Sequence, residues 1–337
     1  MGTNIDVRER WRLYKEELVQ CFWTFQKAHY REKNCLFEKT YVDNPERPPV
    51  FLREYGHENV LVNEKLGIES INQVRNVIPK REWHIRFTSM TSSQALAQSV
   101  FGNLKILGKL GCLSGLLGND GNPLFTSGKL AGDSLEMEKT ILYLGETSRK
   151  TKIDVFIGGA HQVAVECKLT EPEVGPCSRP KLRRDAPNYN DEFCDGRYVR
   201  QRNRKERCSL THIGVKYWEF IPSFFKWDYL VDHDPCPLNQ TYQLVRNVLA
   251  ACMRPKSGSE DKAVATDGRA VLLYDKWNPQ FQEGGEGWRA FREVKEGLRN
   301  PSLLQSCTWQ QVISAMAGDQ ELAWLVNGLR EKYGLEA

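Results

Sequence analysis

The sequence predicts an α/β fold whose core runs helix, three strands, helix, strand, flanked by helical extensions and interrupted by a polar insertion. Three observations predict it. Apolar residues recur at helical spacing over residues 6–32 and 91–110. Two short apolar runs, Ile153–Ile157 and Gln162–Leu169, are joined across Gly158-Gly159 and read as paired strands. A compact helix at 242–253 leads to a buried-strand run, Ala270–Tyr274.

In the first helix, Trp11, Tyr14, Leu18, Cys21, Phe22 and Phe25 share the apolar spacing, which reads as packing rather than binding. A polar, proline-rich break follows at 44–49, and residues 51–78 show no dominant period. In the second helix, Ser92 or Ser93 can cap the N-terminus, and Leu96, Val100, Phe101, Leu104 and Leu107 form the buried face. Gln94 and Gln98 share another face, where solvation is the simpler expectation. Residues 135–144 (LEMEKTILYL) alternate as a strand, with Glu136 and Glu138 on one side. With the two runs that follow, they make an antiparallel meander. Between 171 and 239 the chain is rich in proline, arginine and cysteine, with one strand-like run at 213–220. Beyond the glycine loop at 284–287 the tail reads as helices broken at Pro301 and Gly318.

The chemistry gathers in residues 152–170, KIDVFIGGAHQVAVECKLT. Asp154 lies in the first strand; Glu166 and Lys168 lie near the end of the second. Side chains alternate along a strand, so Glu166 and Lys168 share a face with Ala164, while Val163, Val165 and Cys167 point the other way. A charge in so apolar a strand is costly unless it is paired or holds a metal. Two carboxylates and a lysine on adjoining strands suit Mg²⁺.

The pattern I-D-V…V-E-C-K, with eleven residues between Asp154 and Glu166, resembles the PD-(D/E)XK nuclease superfamily. The runs SSQALAQSVFG (92–102), ECKLTEPEVGPCS (166–178), RCSLTHIGVKYWEFIP (207–222) and YQLVRN (242–247) look like a bacterial restriction-endonuclease-like branch of it. The likeness extends from about residue 87 to the C-terminus. Ile153 replaces the proline usual before the Asp, a position that is not a ligand. The resemblance implies a restriction-endonuclease-like αβββαβ core. It implies that Asp154, Glu166 and the backbone carbonyl of Cys167 hold Mg²⁺ or Mn²⁺, and that Lys168 assists the attacking water and the transition state. Superfamily members often add an acid from the first helix. None lies between Thr91 and Leu110, so Glu138, or else Glu136, is expected to substitute. Gln243 and Arg246 lie on the helix after the insertion, where superfamily members often place polar residues that reach the phosphate; a structural or surface role is the competing expectation.

Between Cys177 and Cys208 there are ten basic residues and five acidic ones, a local excess larger than the +4 of the whole chain. Arg197, Arg200, Arg202, Arg204, Lys205 and Arg207, with Tyr189, Phe193 and Tyr198 nearby, suit phosphate contacts with some stacking. Cys177, Cys194, Cys208 and Cys236 could ligate Zn²⁺ or an iron–sulfur cluster, with His212 or His233 replacing one of them. Ordinary buried thiols are the competing expectation, since no C-x-x-C occurs. The other cysteines outside the strands, Cys21, Cys35, Cys112, Cys252 and Cys307, read as core.

The expected organisation is a mainly helical extension (1–86), a nuclease-like core (87–276, with the insertion at 171–239) and a helical tail (277–337). With no apolar run of about 18 residues and no signal-peptide core at the N-terminus, a cytoplasmic protein without a membrane partner is expected. The expected activity is Mg²⁺-dependent hydrolysis of nucleic acid, DNA foremost, in restriction, defence or repair. The alternative is a non-cleaving nucleic-acid-binding module on the same fold.

Overall fold

The computed structural model describes residues 6–42, 44–118, 120–125, 130, 132–146, 152–181, 184–185, 189–200 and 204–336. Its frame is a five-stranded mixed sheet with helices at both ends of the chain. The strands are β1 (Leu135–Thr140), β2 (Lys152–Ile157), β3 (His161–Cys167), β6 (Asp267–Tyr274) and β7 (Leu304–Thr308), in spatial order β1-β2-β3-β6-β7. A separate hairpin, β4 (Met253–Lys256) with β5 (Ser259–Ala265), precedes β6.

β1, β2 and β3 pair antiparallel; β3 with β6 and β6 with β7 pair parallel. Parallel neighbours need a crossover. Helix Tyr242–Cys252 supplies one between β3 and β6, and helix Glu286–Gly297 supplies the next. Both are needed because β3 and β6 are apolar on both faces, as centrally placed parallel strands are.

Two cores result. On one face Val155, Ile157, Val163, Val165, Cys167, Val271 and Leu273 meet α1 (Val7–His29), through Leu18, Phe22 and Phe25. α2 (Ser93–Ala97), which runs on through a π-helical turn (Gln98–Gly102), adds Leu96, Val100 and Phe101. Ser92 is the cap of α2, accepting from Ala95 N–H at 3.2 Å. On the other face Phe156, Ala164, Ala270, Leu272 and Leu304 pack beneath α3 (Tyr217–Phe224), α4 (Tyr242–Cys252) and α5 (Glu286–Gly297). The tail closes the first core with α6 (Trp309–Met316) and α7 (Ala323–Tyr333).

Several expectations are corrected. Residues 213–220 are not a strand. Tyr217, Trp218, Ile221 and Phe225 are buried at helical spacing, and the segment enters α3. The tail is not all helix, because β7 adds to the open edge of β6. Five residues carry too little periodicity to announce a strand; the unpaired edge of β6 selects it. β1 ends at Thr140, and Ile141, Tyr143 and Leu144 pass into the second core. Residues 51–78 contain a short 3₁₀ segment and the helix Ile68–Arg75. Among the described residues no helix is long and apolar enough to cross a membrane.

The end of α4 lies against β6 at Gly268. A Cβ there would stand 2.0 Å from the Ala251 carbonyl oxygen and 2.9 Å from that of Gln162. Gly268→Ala should therefore cost about 1–3 kcal/mol of stability, read as a lowered urea midpoint with an unchanged m-value.

Candidate active site

The register lines up three acids. Met137 faces Val155 and Lys139 faces Ile153, so Glu138 stands opposite Asp154. Val155 faces Val165, and the same register carried one step further sets Asp154 opposite Glu166. Cross-strand partners share a face, so Glu138, Asp154 and Glu166 form one row across β1, β2 and β3. Glu138 has a left-handed backbone, φ 53°, which is uncommon for a residue other than glycine. The row borders a cleft of about 540 Å³, whose lining also includes Trp11, Lys15, His84, Arg86, Gln94 and Gln243.

Each acid is held differently. Asp154 accepts from the backbone N–H of Cys167 at 2.7 Å. Glu166, 2% exposed, accepts from Lys168 Nζ at 2.8 Å, Asn247 Nδ2 at 2.9 Å and Arg246 Nη2 at 3.4 Å. Lys168 donates in turn to Gln243 Oε1 at 3.0 Å. Thus the two polar residues expected to reach the phosphate act on the acid and the lysine. Arg246 is 3% exposed and directed at Glu166, and Gln243 is directed at Lys168. Gly175 allows the latter approach: its φ is +100°, and a Cβ would lie 1.9 Å from Gln243 Oε1.

The end of β3 is anchored from several elements. Lys168 N–H continues the ladder to Leu273 O at 2.8 Å, and Trp309 Nε1 donates to Lys168 O at 2.9 Å. Tyr14 and Trp11 of α1 donate to the carbonyls of Leu169 and Thr170. Glu171 accepts from Ser93 Oγ at 2.6 Å and Leu169 N–H at 2.7 Å. A helix far away in sequence therefore helps to fix the lysine.

The electrostatics follow from crowding. Burial, then the charges of Glu166 and Glu138, push the Asp154 carboxyl well above its usual range. Burial foremost raises Glu138 to about 7, with Glu166 adding to it and a hydrogen bond from Gln94 opposing it. Burial works against the charge on Lys168, but Glu166, Glu171 and Asp154 outweigh it and hold the ammonium above its ordinary value. The donors around the row are oxygens, which suits a hard divalent cation. Among the described residues no group of three or more His, Cys, Asp or Glu side chains is spaced to hold a metal outright. Both oxygens of Glu166 are engaged by donors, so it would have to turn partly from Lys168 to share an ion. The crowding of like charge is the feature that fits a cation here.

Other expected residues fall elsewhere. Glu136 is exposed and ion-paired with Lys139, outside the cleft lining. Cys167 lines the cleft, with its side chain in the first core. The basic run is not a uniform surface. Arg204 is buried, Arg207 pairs with Asp232, and Arg197 is held by Asp195. Arg200 and Lys205 are exposed, and Arg202 lies outside the described residues. Arg204 therefore cannot serve as a surface phosphate contact: it is buried beside Cys194 and Cys208. Of the cysteines expected in the core, Cys35 is exposed and Cys21 and Cys112 are half-buried. Sequence reasoning passed over Asn247 and left Gln94 as a solvated side chain. Asn247 follows Arg246 directly, and its signal was a polar pair inside an apolar helix.

The crowding has a pH signature. Glu138 binds its proton more tightly in the folded protein than in the unfolded chain, so it costs stability as pH rises from about 4.5 through about 7. In EDTA, the Tm advantage of Glu138→Gln over the wild type should widen from pH 5 to pH 8 by scanning fluorimetry. A constant difference would show that the carboxyl does not titrate in this window.

No curated protein and no solved structure matches the chain. The sequence does match the family described as Restriction Endonuclease associating with ARP, over residues 25–334. That span begins in the last turns of α1 and takes in the carboxylate row, the insertion and nearly all of the tail, and the chain belongs to this restriction-endonuclease-like family.

Proposed function

We propose that the protein is a Mg²⁺-dependent nuclease that hydrolyses phosphodiester bonds of DNA, also active with Mn²⁺. The observation that carries this reading is the row Glu138–Asp154–Glu166 with Lys168 ion-paired at its end, beside a cleft rimmed by Lys15, His84 and Arg86. Membership of a restriction-endonuclease-like family supports it. It is a reading of αβββαβ nuclease type: α2, β1, β2, β3, α4 and β6 as the core, with β7 added.

Asp154, Glu166 and the Cys167 carbonyl would hold the ion, with Glu138 as the third acid. When bound, the ion supplies a water of lowered pKa and polarises the scissile phosphate. Lys168 stays charged among the acids, so its role is to hold the attacking water by hydrogen bonding and to offset charge on the phosphate, rather than to accept the proton. Gln243 aims Lys168, while Arg246 and Asn247 aim Glu166. Lys15 and Arg86 suit the flanking phosphates, and Trp11 offers a base-stacking face at the rim. Arg200 and Lys205 are the exposed part of the insertion's basic run that remains for the backbone.

Plasmid and single-stranded DNA should be cut in Mg²⁺ or Mn²⁺ and left intact in EDTA. Lys168→Ala should lose about 10²- to 10⁴-fold in rate, and Asp154→Ala at least as much. Cleavage undiminished in both variants would refute the site. Salt-dependent DNA binding without cleavage under any metal would favour the binding-module alternative.

A further inference from the structure

Outside the cleft, one cluster of nucleophilic side chains has no role in the reading above. Cys177, Cys194, Cys208 and Cys236 come from four separate turns of the chain, yet they line one cavity of about 10 Å³. All four are buried and free. Backbone bonds hold the turns together: Cys177 N–H donates to Asn239 O and Cys236 N–H to Gly196 O, both at 2.8 Å.

Two further features point to a ligand. Backbone amides two residues downstream donate to three of the sulfurs: Arg179 to Cys177, Leu210 to Cys208 and Leu238 to Cys236, with Thr211 also donating to Cys208. Such amide donors fix where the sulfurs point, as outer-shell bonds orient metal ligands. Arg204 is 5% exposed, bonds to Cys194, and leaves Nη1 and Nη2 without a hydrogen-bond partner. The nearby carboxylate of Asp195 is engaged by Arg197, at 2.9 Å to Nε. A guanidinium cannot shed its charge, and burying one beside four neutral thiols is costly.

We propose that Cys177, Cys194, Cys208 and Cys236 bind one Zn²⁺ ion as four thiolates, with Arg204 as the buried counter-charge. Four thiolates on Zn²⁺ carry two net negative charges, and Arg204 offsets one of them. Binding releases the four thiol protons to solvent; no electron is transferred. The four sulfurs do not stand at ligand spacing here; the cavity admits about one small sphere, and they would close to about 2.3 Å from a lone ion. A cluster of four irons and four sulfides does not fit. His212 is exposed and His233 bonds to Asp228 O, so neither replaces a cysteine. The staple is structural: Cys177 and Asn239 join the two ends of the insertion beside Gly175 and Gln243, next to Lys168.

The test is metal analysis of the full-length wild-type protein, grown without added metal and dialysed. About one zinc per chain is expected, released when the thiols are titrated with a mercurial. Exchange with Co²⁺ should give the intense absorption of tetrahedral thiolate–cobalt. Arg204→Met should weaken retention against a chelator by about 10- to 100-fold, and Cys252→Ser should retain the zinc. Asp154→Ala must keep its zinc as well, so failure of the nuclease reading leaves this result standing. Protein that is zinc-free and keeps its Tm in EDTA, or that carries iron with visible absorption, overturns the proposal. If Cys208→Ser does not fold, the wild-type stoichiometry and the cobalt spectrum decide by themselves.

Discussion

Repulsion within one row of carboxylates organises this molecule. Glu138, Asp154 and Glu166 sit side by side on three paired strands, where water is scarce and unit charges interact by about 4 kcal/mol at 4 Å in a surface-like dielectric. Lys168 and Arg246 pair with Glu166, while burial and mutual repulsion raise the proton affinity of Asp154 and Glu138. What surrounds the row manages that repulsion. α4 presents Gln243, Arg246 and Asn247 on the face it lays over β3, and the N–H of Cys167 turns toward Asp154.

Holding such a row requires a frame that cannot relax. The turn after Lys168 is bonded to Trp309 of the tail, to Trp11 and Tyr14 of the first helix, and to Ser93 at the start of α2. The two ends of the chain therefore serve the centre, and the family match over residues 25–334 takes in Ser93 and Trp309 as well as the hairpin. The same logic applies at the insertion. Its ends are joined by backbone bonds from Cys177 N–H to Asn239 O and from Gln243 N–H to Gly175 O, beside the side-chain bond of Gln243 to Lys168.

Much of the site was legible because strand geometry is strict. A period of two sets Glu166 and Lys168 on one face and Cys167 on the other, and the structure has them so. The choice of Glu138 over Glu136 was less legible. Both lie on the same nominal side, and they are separated by a left-handed backbone at Glu138 and by an ion pair that takes Glu136 to solvent. Arg204 was misread because a charge run looks alike whether its members face water or thiols. Gln94 reads as solvated in the sequence because neither Glu138, far along the chain, nor the turn that brings the backbone of His84 to it follows a helical period.

By itself the sequence determined the local periods: the long amphipathic helix, the hairpin with its acids and lysine, the compact helix Tyr242–Cys252 and the buried strand after it. These follow from side-chain alternation and helical spacing, which act within a few residues. Tertiary structure alone decided that residues 304–308 become a strand, that the chain from 217 to 224 is a helix, and that four cysteines spread over about sixty residues share a cavity. Those outcomes depend on an open sheet edge, a second core waiting for Tyr217 and Ile221, and the closure of a loop, all of them partners lying far along the chain.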